Sequence, residues 1–412
     1  MRISATTSRL YTEMMLELMN HVPLRDKAAP LPADALGAPD GGRAATTPDD
    51  AVLHVRAVHR AISELKRGTP ILLRGPSPLV VIPAETAGAA GLRDMGALAI
   101  GPALLLLAPS RASVALQRPV ASTAPAVAIR LTALLTDVAV LRGLADPTAE
   151  QLLPEEPVLL DPPPAAGIAL ALVKLARLLP AAVVAPAHPD AARLAGDLGL
   201  LSVDAADVAA YPARMGHELR RVAETAVPLD GAPDARIVAF REPDSGVEHL
   251  AILVGRPEQT DAPLVRIHSE CFTGDLLGSL RCDCGPQLKG AIHRMGEAGA
   301  GVLLYLAQEG RGIGLVNKLR AYAMQDRGLD TLDANRALGW GADERNFLLA
   351  ATMLEALGIP RVRLLTNNPE KIASLSALGI EVVNRESHTF APNGVNNHYL
   401  ATKAARFGHM FE

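Results

Sequence analysis

Cysteine is scarce in this chain: there are 3 in 412 residues. That excludes a disulfide scaffold and suits a reducing compartment. Aromatic residues make up only 3% and tryptophan occurs once, so Ala, Val and Leu supply most of the 49% hydrophobic share. That share is large enough to bury a core, which excludes a disordered chain. An excess of one charge is missing too, since 40 Lys and Arg face 44 Asp and Glu for a net charge of −4. A strongly basic nucleic-acid binder is thereby excluded as the default. Long apolar runs are also lacking. The greasiest stretch, 97–109, falls short of the roughly 20 residues that span a bilayer. A second run, 165–187, is interrupted by Lys174, Arg177 and Pro180. Glu13 and Glu17 stand where an export signal needs an unbroken apolar core. The expectation is a cytoplasmic protein with no membrane or nucleic-acid partner, its two apolar runs forming buried strands or helices.

A length of 412 residues points to two domains. Residues 27–47 are rich in Ala, Pro, Gly and Asp without an apolar period, so 1–47 is assigned as an N-terminal tail or linker. Thr47-Pro48-Asp49-Asp50 reads as a helix start, with a hydroxyl cap, Pro in the first turn and acids behind it. The helix runs through Lys66 and stops at Gly68. Two short strands, 71–73 and 79–82, flank the turn Gly75-Pro76-Ser77-Pro78. Alternating apolar stretches and Pro/Gly breaks up to about residue 201 fit an α/β layer domain, 48–217. Near Met215 charged residues become denser, and 217–224 reads as a joining segment before a second domain, 218–412.

Cys271, Cys282 and Cys284 all fall in this second half. Cys282 and Cys284 flank Asp283, and in an extended segment residues two apart face the same side. Cys271 joins them if 274–280 folds back. Three thiolates offer Zn²⁺ a soft, anionic shell and leave a fourth position for water; the alternative is three buried thiols acting as small apolar residues. His268 reads as a polar or substrate contact rather than a ligand. A buried strand at 302–305 runs into Gln308-Glu309-Gly310-Arg311-Gly312-Ile313-Gly314. Its glycines would let backbone amides approach a phosphate, with Arg311 as a fork of donors, or it is an ordinary strand-to-helix turn. Lys318, Arg320 and Tyr322 follow on a helical stretch, where the ordinary reading of the charges is a solvated face. A strand at 362–365 ends in Thr366-Asn367-Asn368-Pro369-Glu370-Lys371, a capped helix start able to attract an anion or a polar base. Asp343-Glu344-Arg345 reads as solvated surface by spacing alone.

Taken together, Arg266-Ile267-His268-Ser269-Glu270-Cys271, Ser279-Leu280-Arg281-Cys282-Asp283-Cys284-Gly285, Gln308-Glu309-Gly310-Arg311, Asp343-Glu344-Arg345 and Leu364-Leu365-Thr366-Asn367-Asn368-Pro369 resemble GTP cyclohydrolase II over 218–411. The resemblance implies an α/β fold with a mixed sheet and a zinc site. It implies a homodimer that opens the guanine ring of GTP with release of formate and pyrophosphate. The remaining product would be 2,5-diamino-6-hydroxy-4-(5-phosphoribosylamino)pyrimidine, in the first step of riboflavin biosynthesis. By the match, Cys271, Cys282 and Cys284 hold zinc, and Mg²⁺ accompanies the triphosphate. Arg266, Ile267, His268, Ser269, Glu270, Gln287, Glu309, Gly310, Arg311, Thr331, Thr366 and Lys371 contact GTP. Asp343 falls on the proton acceptor, Arg345 on the residue assigned as nucleophile toward the α-phosphate, and Tyr322 on a tyrosine linked to completing ring opening. A guanidinium with a pKa above about 12 remains protonated, so stabilising the departing pyrophosphate suits Arg345 better than attack.

The first half resembles dihydroxybutanone phosphate synthase in Ala61-Ile62-Ser63-Glu64-Leu65-Lys66-Arg67-Gly68 and the segment 70–73. That family needs an acid-rich loop for Mg²⁺ and the sugar phosphate. Here the place reads Arg74-Gly75-Pro76-Ser77-Pro78-Leu79, with no carboxylate before Glu85, so a degenerate domain without synthase activity is expected.

Overall fold

The computed structural model describes residues 50–120, 125–151, 153–391, 393–397, 401–402, 406 and 410. The expected tail 1–47 and the helix cap at Thr47-Pro48-Asp49 lie outside them. The first helix, Asp50–Lys66, buries Val55, Val58, Ala61, Ile62 and Leu65 at helical spacing. It ends at Gly68, whose φ of +75° brings the chain so close to Thr86 that a Cβ would lie 2.2 Å from its carbonyl oxygen.

Two seven-stranded mixed sheets follow. In the first, β1 (Ile71–Arg74), β2 (Leu79–Pro83), β3 (Leu104–Leu107), β4 (Val127–Arg130), β5 (Leu159–Leu160), β6 (Ala181–Pro186) and β7 (Ser202–Asp204) lie in the order β5-β4-β3-β6-β2-β1-β7. Among the described residues, only its β1–β7 pair is parallel. Helices cover both faces, which is why its strands are continuous apolar runs. Alternation still sorts them: Leu105, Leu107 and Val183 enter one core, whereas Leu106, Ala182 and Val184 enter the other. Both apolar runs noted in the sequence contribute here, one as β3 and the other as the helix Ala166–Leu175 followed by β6.

The second sheet contains β8 (Arg220–Ala226), β9 (Arg236–Arg241), β10 (Glu248–Gly255), β11 (Leu264–Ser269), β12 (Ala300–Leu306), β13 (Arg361–Leu365) and β14 (Glu381–Glu386), in the order β14-β13-β11-β12-β10-β9-β8. One half, β12, β11, β13 and β14, is parallel; the other is antiparallel. Crevices at the carboxyl ends of parallel strands are where α/β sheets bind ligands. The motif residues lie there: Cys271 beyond β11, Glu309 beyond β12 and Thr366 beyond β13.

The reading of 217–224 as a joining segment is corrected. His217 closes the helix Ala205–His217, and Arg220 opens β8, an edge strand with every side chain exposed. With neither face buried, such a strand carries no hydrophobic alternation to read. Below, the first lobe is the part built on β1–β7 and the second lobe the part built on β8–β14. Between β12 and β13 the second lobe sends out the helices Leu315–Gln325 and Thr331–Ala337. Their Ala321, Met324, Ala334 and Ala337, with Ile313, Leu338 and Trp340, join a core of the first lobe. Among the described residues, no helix is long and apolar enough to cross a membrane.

Candidate active site

The segment after β11 does fold back. Cys271 is followed by the turn Phe272–Leu276, and Cys284 opens the helix Cys284–Glu297. The three Sγ atoms lie within 4.8 Å of one another, with Cys271 and Cys282 3.8 Å apart. A tetrahedral zinc with bonds of about 2.3 Å places two of its sulfurs about 3.8 Å apart, which is the separation of Cys271 and Cys282. Gly274 leaves the space: a Cβ there would stand 2.7 Å from Cys282 Sγ and 3.0 Å from Cys271 Sγ. Hydrogen bonds from the Cys282 and Cys284 thiols draw Cys271 well below its usual pKa. The same sharing pushes Cys282 up to about 11 and Cys284 well above its ordinary value.

Lys318 does not lie on a solvated face. Its Nζ donates to Cys271 Sγ at 3.0 Å, to Thr273 Oγ1 at 2.9 Å and to Glu309 Oε1 at 2.9 Å. Burial would lower its pKa, but those partners outweigh burial and keep the ammonium charged. Glu309 also accepts from Phe272 N at 2.7 Å, so it braces the cysteine turn as well as facing the cleft. Asp275, which sequence reasoning missed, ties the same turn to the sheet. It accepts from Cys271 N at 3.0 Å, Tyr305 Oη at 3.0 Å and His268 Nε2 at 3.1 Å. An acid four residues after the first cysteine, in a segment expected to fold back, was the available signal. His268 stacks on Tyr305 with ring centroids 5.6 Å apart, and burial lowers its pKa and keeps the ring neutral. It is no fourth member of the thiol cluster.

The thiols sit in the wall of a cleft enclosing about 1080 Å³, its open mouth included. All three expected metal ligands and all twelve expected GTP contacts line it, as do Tyr322 and Arg345. Asp343 does not; it lies behind Arg345. Arg266 is buried, donates to Leu365 O at 3.2 Å and to Gln287, and burial brings its pKa down to about 10. Gln287 in turn donates to Asp283. Ser269 Oγ and Arg266 Nε are buried without a hydrogen-bond partner. Thr331 opens the helix Thr331–Ala337, its Oγ1 3.4 Å from Gln325. The Tyr322 ring lies between Arg281, at 5.1 Å, and Lys318, at 5.8 Å.

The loop after β12 takes left-handed backbone at Gly310 (φ +63°), Arg311 (φ +62°) and Gly312 (φ +94°). Arg311 is thus a non-glycine residue in a sparsely populated conformation of the kind that recurs at functional sites. Gly312 lets the loop lie on Glu344, whose carbonyl oxygen would be 2.6 Å from a Cβ. This brings Arg311 beside Asp343 and Arg345, which are nearly buried and not surface charges. Asp343 accepts from Arg345 Nε with both oxygens, at 2.8 and 3.0 Å. Burial would raise the Asp343 pKa, but the Arg345 and Arg311 charges prevail and hold it below the ordinary value. Asn368 caps the helix Pro369–Ala377 by accepting from Glu370 N at 2.9 Å, Thr366 accepts from Asn368 N at 3.0 Å, and Lys371 donates to Ile267 O at 2.7 Å.

The family model for GTP cyclohydrolase II matches residues 220–387. A GTP cyclohydrolase-2 of Cronobacter sakazakii is 52% identical over 193 residues, which is 47% of this chain and 98% of that protein. The chain belongs to the GTP cyclohydrolase II family. A GTP cyclohydrolase-2 of Azospirillum brasilense is 59% identical over 255 residues, 61% of this chain, and the chain covers 66% of its length. The solved two-domain 3,4-dihydroxy-2-butanone 4-phosphate synthase of A. baumannii is 18% identical, covering 81% of this chain and 99% of that one, with a TM-score of 0.30.

Proposed function

We propose that this GTP cyclohydrolase II family enzyme hydrolyses GTP by a zinc-dependent route. It opens the imidazole ring and releases formate and pyrophosphate, leaving the diaminopyrimidine ribosyl phosphate. The observation that carries this reading is a cluster of three thiols, two of them at zinc spacing, set in the wall of a cleft that cations line. Zinc held by Cys271, Cys282 and Cys284 would supply a water of near-neutral pKa as nucleophile toward the guanine carbon between two nitrogens.

The protein's own groups would do the rest. Lys318 offsets the anionic sulfurs while holding Glu309 and the cysteine turn in register. His268, neutral and donating through Nε2 to Asp275, offers its surroundings no competing charge. Ser269 Oγ and Arg266 Nε are available to a polar base edge, and a buried polar atom left unpaired costs about 1–3 kcal/mol. Arg311 and Lys371 supply positive charge for the triphosphate, together with Mg²⁺. The two-point pairing with Asp343 fixes the Arg345 guanidinium in place, which supports charge stabilisation of the departing pyrophosphate over nucleophilic attack. The chain divides near residue 217 into a degenerate synthase-like domain and the catalytic domain. Phe272, Leu276, Leu277 and Leu280 expose an apolar rim beside the cleft, which supports the homodimer.

Purified full-length protein incubated with GTP, Zn²⁺ and Mg²⁺ should release formate. Cys282→Ser should abolish ring opening, because the ion loses a ligand. GTP binding without turnover would identify a regulator instead, and a product heavier by one carbon monoxide unit would identify a formyl-retaining enzyme.

A further inference from the structure

The helix Leu315–Gln325 divides its surface three ways. Lys318, Ala321, Tyr322 and Gln325, spaced three and four apart, face the cleft. Val316 and Leu319 are exposed. Asn317, Arg320 and Met324 turn toward the first lobe. Among the described residues, every buried apolar side chain in 313–340 except Leu332 belongs to the first lobe's core, and none belongs to the second lobe's cores. A wall of the cleft is therefore founded on the lobe that lacks the thiols.

Beside contacts to backbone oxygens such as Arg177 to Ala307 O and Arg327 to Pro147 O, two of the ion pairs that cross this boundary meet on Arg320. Its Nη2 donates to Glu85 Oε1 at 2.8 Å and its Nε pairs with Asp146 Oδ2 at 2.8 Å. The remaining nitrogen, Nη1, donates to Asn317 Oδ1 at 2.8 Å. The two acids are themselves fixed: Glu85 Oε2 accepts from Leu179 N at 2.7 Å, and Asp146 Oδ1 accepts from Thr148 N at 2.8 Å. Asn317, fully buried, donates to Arg177 O of the first lobe at 2.9 Å. A second cross-lobe pair, Lys174 to Glu344 at 2.7 Å, holds the residue between Asp343 and Arg345.

We propose that Arg320 is a positioning residue: clamped by Glu85 and Asp146, it sets the helix that presents Lys318 and Tyr322 to the substrate, so the first lobe serves as the foundation of the cyclohydrolase cleft. This rests on the reading of the cleft as the GTP site. Two nitrogens held by fixed acids of the first lobe, with the third braced on Asn317 of the same helix, restrict the helix to one position, whereas packing of Ala and Met side chains tolerates sliding. Displacing reacting groups by about 1 Å can cost on the order of 100-fold in rate.

The test uses full-length Arg320→Met, which keeps the stem and removes the fork, and the double variant Glu85→Gln/Asp146→Asn, which keeps Arg320 and removes both charges. Trp340, the single tryptophan, is buried in the same interface with Lys174 Nζ 5.4 Å from its ring centre, so its emission reports the docking without any turnover. Both variants should bind zinc as wild type does, lower kcat for formate release on the order of 100-fold with KM for GTP shifted far less, and make Trp340 more accessible to acrylamide. Arg320→Lys, which retains one charged contact, should recover part of the rate. Unchanged kcat and unchanged Trp340 quenching in both variants would overturn the proposal; if Arg320→Met does not fold, the double variant decides it. A wild type that releases no formate would sink the functional reading instead, while Trp340 quenching still tests the clamp.

Discussion

Replacing Gly274 by Ala tests the thiol site through shape alone, since no ligand is removed. A methyl group there would stand 2.7 Å from Cys282 Sγ, 2.9 Å from Cys284 Cβ and 3.0 Å from Cys271 Sγ. Ordinary contact begins near 3.4 Å, so all three neighbours must give way by several tenths of an ångström. The turn cannot retreat, because its own carbonyl oxygen already lies where a Cβ on Gly285 would be only 2.5 Å away. The sulfurs must spread instead, away from the spacing that four-coordinate zinc requires. Overpacking of this kind costs about 1–3 kcal/mol, which at about 1.4 kcal/mol per decade is a loss of roughly ten- to hundredfold in zinc affinity. Competition against a chromophoric chelator measures that loss directly, and excess zinc should restore part of the formate release. Gly196→Ala is the control, since nothing lies within 4 Å of a Cβ there. Wild-type zinc affinity in Gly274→Ala would refute the reasoning, because it would mean the three thiols do not enclose an ion at the spacing seen.

Three further outcomes follow from the same geometry. Arg345→Lys keeps a positive charge but loses the two-point grip of Asp343, so it should retain some pyrophosphate release, lowered roughly ten- to hundredfold; complete loss, with a guanylyl-arginine trapped in wild type, would make Arg345 a nucleophile. His388 is pushed down to about 4 by burial and then by the Arg266 charge. The unfolded chain therefore binds the extra proton first, and this contribution to stability, full above pH 6.5, declines as pH falls toward 4. At about 1.4 kcal/mol per pH unit it amounts to at most about 3.5 kcal/mol; urea unfolding of His388→Gln between pH 7 and 4.5 should show a shallower acid decline than wild type, and equal slopes would contradict the assignment. The full chain given ribulose 5-phosphate should make no dihydroxybutanone phosphate, because the turn after β1 has no carboxylate and both oxygens of Glu85 are engaged by Arg320 and Leu179. Detecting that product would overturn the view of the first lobe as degenerate.

Much of the site was legible because its residues come in short runs with unambiguous chemistry. Three cysteines within fourteen positions, and a glycine-rich loop directly after a buried strand, announce themselves in one dimension. The contacts that hold those runs together did not. Lys318 resembled any charge on a helix, because the Cys271 thiol it meets lies 47 positions away. Asp343 and Arg345 resembled surface charges, because burial depends on the Arg311 loop folding over them. β8 reads in the sequence as part of a joining segment, since an open edge strand leaves no periodic trace. Pairing of the strands and the division of the first sheet's side chains between two cores likewise depend on neighbours that local patterning does not name.

What the sequence by itself determined is which chemical groups stand together: three clustered thiols, cations in short motifs, and a first half without the acids its resemblance requires. Only the tertiary structure decided who holds whom. The partners of Arg320 are 235 and 174 positions away in the chain, and no local propensity specifies such a meeting. It arises because the helices Leu315–Gln325 and Thr331–Ala337 present an apolar face that their own sheet does not cover, and the neighbouring lobe buries it.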